Sequence, residues 1–366
     1  SPQRTSRRLL RRRLLAMTEL LLTLTILLIF AACGKKKETV PEIPLTLIDS
    51  WGGTNVDEQT MIGYPSDFIV SSKGEAVVTD VRLNQVLFFD RAGNIIRRVG
   101  GPGKGPLEFA IPDDIAQIGD KLVVWDYQNN RLQFLTLEGE FISTSTPEPR
   151  IDFNAKTFDS RGRLYYATGG FRADSMVYVY NRNGEFVKTF GELEGDKFTD
   201  YDVVNLRQSI ERRELPAALT NATLLCTTSD GGIFVVHTAL PILKKYTISG
   251  QKLFEVEIDH PGFKQQRDDF FAANDTLPDF SFKPLRFWSD IAADATGGVF
   301  ILQNDRAKMI VSHFDANGKL TEKYFGPNEN ISKIFFDGSE LWAVGRENLV
   351  FYRFSLTPPE ELTTDK

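Results

Sequence analysis

Pro65-Ser66-Asp67-Phe68-Ile69-Val70, Lys73-Gly74, Ala76-Val77-Val78-Thr79-Asp80, Asn84-Gln85-Val86-Leu87-Phe88-Phe89-Asp90, Gly93 and Ile95-Ile96 form a unit that the chain then repeats. The next copy runs Pro112-Asp113-Asp114-Ile115-Ala116, Gly119, Leu122-Val123-Val124-Trp125-Asp126, Asn130-Arg131-Leu132-Gln133-Phe134, Gly139 and Phe141-Ile142. Each copy holds four short apolar runs separated by Gly, Asp or Asn turns. The turn glycines Gly93, Gly139 and Gly184 lie 46 and 45 residues apart. Four short strands in every 40–50 residues, roughly, is the spacing of a β-propeller blade.

Extending the pattern gives blades at 64–100, 111–146, 153–191, 219–258 and 286–325, with three further strands at 331–356. That last group lacks a fourth strand. The stretch 44–53, with Leu45, Leu47, Ile48 and Trp51, reads as a single blade-ending strand with nothing before it. An open ring leaves two unpaired edges, so the N-terminal strand is expected to complete the sixth blade. The expectation is therefore an all-β, six-bladed propeller of four-stranded antiparallel blades over 44–356, closed by its N-terminal strand.

Gly184, Gly250 and Gly318 are 66 and 68 residues apart, so two segments are inserted, 192–218 and 259–285. Apolar spacing at Val203, Val204, Leu206 and Ile210 predicts a short helix in the first, and Arg267 to Ala273 a helix in the second. Both join the last strand of one blade to the first of the next. They are therefore expected on one face, at one mouth of the central channel, where loops on a rigid scaffold carry binding.

The N-terminus differs from the rest. Residues 1–32 hold six Arg and a single acid, Glu19, so the remaining chain is net −11 against −6 overall. An acidic body without a basic stripe argues against nucleic-acid binding. Arg4, Arg7, Arg8, Arg11, Arg12 and Arg13 precede an apolar run, Leu20 to Ala32, that is short for a membrane span of about 20 residues. It ends in Phe30-Ala31-Ala32-Cys33-Gly34, as a bacterial lipobox does. Residues 1–32 are read as a lipoprotein signal peptide, Cys33 as the lipidated residue, 33–43 as a flexible tether and 357–366 as a polar tail. The chain opens on Ser1, and a start upstream is expected, because starting at Met17 would remove the basic segment. Cys226 is the other cysteine and reads as a buried, inert thiol.

Pro65 to Gly93 and Pro112 to Gly139 resemble NHL repeats. The connection Val99-Gly100-Gly101-Pro102-Gly103-Lys104-Gly105-Pro106-Leu107-Glu108-Phe109 is similar to that of six-bladed NHL-like propeller lipoproteins of Bacteroidota. The resemblance covers about residues 44–356 and implies a propeller anchored at the outer membrane, periplasmic or surface-facing. It leaves activity open, since such propellers serve as binding platforms and as enzymes.

Few residues carry recognisable chemistry. Gly100 to Gly105 looks like a phosphate cradle but lacks Ser or Thr after Lys104 and does not open a helix. His237, His260 and His313 show no metal or triad spacing. Asp67, Asp114 and Asp290 sit on inner strands and face the axis, where hard oxygen ligands could hold a divalent cation. The matching positions in blades three and four read as Ala155 and about Leu225. The second insertion carries Phe263, Phe270, Phe271, Phe280 and Phe282 beside Lys264 and Arg267, the composition of an interface hot spot. The functional expectation is a lipid-anchored binding scaffold without a cofactor. It would hold a protein, peptide or glycan partner on its insertion-bearing face. The alternative is a metal-assisted hydrolase or lyase with a cation in the channel.

Overall fold

The computed structural model describes residues 39–53, 61–152, 154–199, 203–259, 262–278 and 281–357. Six sheets of sequential antiparallel strands surround an axis. Blade 1 is β3 (Pro65–Val70), β4 (Ala76–Asp80), β5 (Gln85–Phe89) and β6 (Ile95–Val99). Blade 2 is β7 (Pro112–Ile118), β8 (Lys121–Asp126), β9 (Arg131–Thr136) and β10 (Phe141–Ser145). Blade 3 is β11 (Lys156–Phe158), β12 (Leu164–Ala167), β13 (Val177–Tyr180) and β14 (Phe186–Phe190). Blade 4 is β15 (Thr223–Thr227), β16 (Gly232–His237), β17 (Ile242–Thr247) and β18 (Lys252–Glu257). Blade 5 is β19 (Trp288–Ala293), β20 (Val299–Gln303), β21 (Ile310–Phe314) and β22 (Leu320–Phe325). Blade 6 is β23 (Ile331–Phe336), β24 (Glu340–Gly345) and β25 (Val350–Ser355), completed by β2 (Thr46–Gly52). The first strands, β3, β7, β11, β15, β19 and β23, neighbour one another all the way round.

The ring closes as the sequence implies. β2 pairs antiparallel with β25, Thr46 opposite Ser355 and Gly52 opposite Val350. Trp51 stacks on Phe351 at 4.4 Å and on Phe89 of blade 1 at 4.6 Å, so the closing strand also seals the next interface. The tether expectation is corrected at its end. β1 (Glu42–Pro44) pairs in parallel with β22 and gives blade 5 a fifth strand. Ile43 and Leu45 pack on the blade 5–6 core, and Leu45 donates its amide to Phe325 at 2.8 Å. Two apolar residues are enough to hold this segment on an edge that offers free carbonyls.

Apolar residues alternate between the two faces of each blade, so the core lies between blades. Each of the six interfaces has its own buried cluster. The recurring turn glycines belong to these interfaces. Gly93 has φ +84°, and a Cβ there would run into the Trp51 ring of blade 6. Gly318, at φ +80°, meets Phe254 of blade 4 in the same way. Glycine marks the repeat because the turn both needs the left-handed region and touches the neighbouring blade.

The insertions contain α1 (Val203–Glu211), α2 (Ala217–Thr220) and α3 (Phe263–Asp275). Both pack on the blade 4–5 core through Ile210, Leu219, Phe270, Phe271 and Leu285. Arg207 on α1 ties them together. It donates to the carbonyls of Asn274 at 2.7 Å, Leu277 at 2.5 Å, Ser281 at 3.2 Å and also Pro278. Arg213 pairs with Asp275 at 2.8 Å.

Candidate functional site

The geometry of the axis begins with a local irregularity. In β3, β7, β19 and β23 the pairing slips by one residue, at Ser66, Asp113, Ser289 and Ser332. Each slip is a β-bulge, which twists the strand and re-aims the next side chain. The residues that follow are Asp67, Asp114, Asp290 and Lys333, paired with Thr79, Trp125, Leu302 and Val344. Blade 3 adds Lys156, whose side chain is 1% exposed. Blade 4 supplies leucine; the pairing puts Leu224, one residue before the expected Leu225, opposite Val236.

Asp67, Asp114 and Asp290 therefore converge as the sequence implies, but two lysines lie among them. Lys156 Nζ is 2.9 Å from Asp114 Oδ2, 3.6 Å from Asp113 Oδ2, and donates to the Asn154 carbonyl at 2.7 Å. Lys333 Nζ is 3.5 Å from Asp67 and 3.6 Å from Asp290. The aspartates also receive backbone amides from the next blade. Ile115 N donates to Asp67 at 3.1 Å, and Ile334 N to Asp290 at 2.8 Å. Ser66 donates to Asp113 across the blade 1–2 boundary at 2.8 Å. An arc of charge thus crosses five blades and leaves blade 4 apolar.

The arc bears directly on the divalent-cation expectation at Asp67, Asp114 and Asp290. Ammonium groups stand between those carboxylates, and the described residues contain no cluster of three or more His, Cys, Asp or Glu arranged to hold a metal. The missed signal was visible: Ser332-Lys333-Ile334 repeats Ser66-Asp67-Phe68 and Ser289-Asp290-Ile291 with the charge reversed.

Four carboxylates face two ammoniums, and the excess shows in their titration. Burial, helped by the charges of Asp114 and Asp290, pushes Asp67 up to about 6 against the pull of Lys333. Burial and then Asp114 push Asp113 up to about 7. Asp290 is raised, chiefly by burial. Burial opposes ionisation of Asp114 too, but Lys156 and Lys333 outweigh it and hold this carboxyl below the ordinary range. Lys333 is held above the ordinary lysine value, because Asp290, Asp67, Asp114 and Asp113 together overcome its desolvation. Perturbed groups in a channel mark a functional candidate.

The arc divides the channel. Asp114, Lys156, Asp290 and Lys333 line both a chamber of about 290 Å3 on one side and one of about 470 Å3 on the other. The smaller opens at the mouth into which both insertions lead, since Ala222, just before β15, and Arg286, two residues before β19, line it. Arg346 and the half-exposed Tyr64 lie at the same mouth.

The remaining candidates have structural duties. Phe270 and Phe271 are buried, and Phe263 and Phe282 pack against the blade 4–5 core, Phe263 lying 4.2 Å from Phe287. The expected aromatic binding surface is thus corrected: these rings fasten α3 to the propeller, as half-buried helices require. Lys264 and Arg267 do face solvent, Lys264 paired with Asp268 at 2.6 Å. Cys33, Phe280 and His260 fall outside the described residues. The Gly100–Gly105 loop is a packed turn. Its amides at Lys104 and Gly105 bind Glu108, and Arg131 donates to the carbonyls of Lys104, Gly105 and Glu108. Cys226 is buried, with its thiol pushed up to about 12 by desolvation. Burial lowers His237 to about 4 and its Nδ1 bonds the Thr220 carbonyl, so it is a neutral packing residue. No helix among the described residues is long and apolar enough to cross a membrane.

Comparison with known proteins agrees with this architecture. A family model described as a 6-bladed beta-propeller, DUF5128, matches residues 57–214. No curated protein matches by sequence. Among solved structures, the chain is similar to a member of the DUF4221 family from Bacteroides vulgatus. That match has 12% identity and a TM-score of 0.53, and covers 87% of this chain and 99% of that one. A putative exported protein from Bacteroides fragilis shows 9% identity and a TM-score of 0.54, covering 86% of this chain and 99% of that one. Virginiamycin B lyase from Staphylococcus aureus shows 17% identity and a TM-score of 0.50, covering 86% of this chain and 100% of that one. At these identities the likeness is one of fold.

Proposed function

We propose that this chain is an NHL-like propeller lipoprotein of the bacterial envelope. It is anchored at the outer membrane through Cys33 and holds a protein, peptide or glycan partner on its insertion-bearing face. The observation that carries the binding reading is the joint cap. Two insertions from successive blades are tied together by Arg207 and end at a charged cavity in one mouth of the channel. Loops added to a rigid ring cost little stability and are free to specialise in recognition. The anchoring reading rests on the basic segment, the short apolar run and Ala31-Ala32-Cys33. Two acyl chains suffice for stable attachment where one is marginal.

Two experiments test these readings. Cys33→Ser should move the protein from the membrane to the soluble fraction; retention in the membrane contradicts the anchor. For the face, the exposed pair Lys264→Glu/Arg267→Glu on α3 is compared with Arg161→Glu on the opposite face. Proteins crosslinked to the wild type in intact cells should be lost with the α3 pair and kept with the control. Loss with the control alone overturns the assignment.

A further inference from the structure

The small mouth chamber carries two layers of opposite charge. Its floor is the axial arc, where Asp113, Asp114 and Asp290 outnumber Lys156 and Lys333. Above it, Arg286 and Arg346 line the same cavity and are solvent-exposed. Neither guanidinium has a carboxylate within salt-bridge distance among the described residues. The surrounding protein, and then the charge of Arg346, hold Arg286 below its ordinary range.

Two guanidiniums that line one cavity with no carboxylate partner among the described residues are free to take an anion, and planar forks of this kind suit a carboxylate. A purely anionic ligand would meet the excess negative charge of the floor. A purely cationic one would meet the arginines on entry. At about 290 Å3 the chamber also lies at the lower end of ligand pockets, which run from roughly 300 to 1,000 Å3. We propose that this chamber binds a small zwitterion, a free amino acid or dipeptide. Its carboxylate lies against Arg286 and Arg346, and its ammonium lies toward Asp113 and Asp290. The inference rests on the reading that the insertion-bearing mouth is the binding side. It is tested without touching α3, so its failure leaves the crosslinking result intact.

The test is calorimetric and NMR titration of the purified protein at pH 7 with alanine, diglycine and dialanine. Two blocked probes accompany them, N-acetyldiglycine without an ammonium and diglycine amide without a carboxylate. At least one zwitterion should bind saturably, and both blocked forms at least tenfold more weakly. Alanine against the dipeptides separates the two ligand sizes. Arg286→Ala and Arg346→Ala should each weaken zwitterion binding at least tenfold, with circular-dichroism melts confirming an intact fold. Asp113→Asn, which keeps the hydrogen bond from Ser66, should weaken it as well. Three results overturn the proposal: no zwitterion binds, a blocked form binds equally well, or the arginine variants bind like the wild type.

Discussion

Replacing Asp113 by Asn should stabilise the protein at high pH and leave it unchanged at low pH. Asp113 lies in the axial arc with its carboxyl pushed up to about 7 from an ordinary value of 3.8. Between those values the folded chain keeps a proton that the unfolded chain has lost. Stability contributed at low pH is therefore lost as pH rises through the folded value. Each pKa unit is worth about 1.4 kcal/mol, so the full displacement approaches about 4 kcal/mol. Sharing of the proton and of Lys156 with Asp114 reduces it, and about 2–4 kcal/mol is expected above pH 8. Asn is a neutral isostere: it still accepts from Ser66, and Lys156 keeps Asp114 and the Asn154 carbonyl. For a propeller of roughly 300 residues, about 1.5 °C accompanies each kcal/mol, so Asp113→Asn should melt about 3–6 °C higher at pH 8.5. At about pH 3, below both values, the two melts should coincide. Equal effects at both pH values, or net destabilisation at pH 8.5, would refute the reasoning.

Three further outcomes follow from the packing. Gly93→Ala combines a left-handed residue with a clash against Trp51 and should cost about 2–4 kcal/mol, read by denaturant unfolding. Trp51→Ala removes the ring that seals blades 6 and 1 and should cost about 2–4 kcal/mol in the same assay. Arg207→Ala should speed hydrogen exchange in 263–278 while leaving blades 1 and 2 protected; unchanged exchange would show that the cap does not depend on this clamp.

The ring was legible because a blade repeats its demands: a glycine where the turn meets the next blade, an apolar run where strands are covered on both faces. The unmatched strands at 44–53 and 331–356 could be joined because an unclosed sheet is costly. The site was less legible. Asp67, Asp114 and Asp290 could be placed on the axis, yet the bulges that aim them leave only a small residue, Ser or Asp, before each charge. Lys333 was hidden because a lysine takes the position that Asp holds in blades 1, 2 and 5, and Lys156 because blade 3 departs from the pattern. The phenylalanines of the second insertion read equally well as anchors or as packing. Only the position of α3 over blades 4 and 5 decides it, and that is a tertiary fact. β1 was missed because three residues show no periodicity; an available edge on β22, not propensity, makes them a strand.

The central claim is that the insertion-bearing mouth, not the opposite one, is where this propeller meets its ligand. The most direct measurement places a photocrosslinking residue in intact cells at Tyr64, exposed at that mouth, and in parallel at Ser229, which lines the opposite chamber. Crosslinked species from position 64 and none from position 229 is the predicted result. Crosslinks from position 229 alone would contradict it.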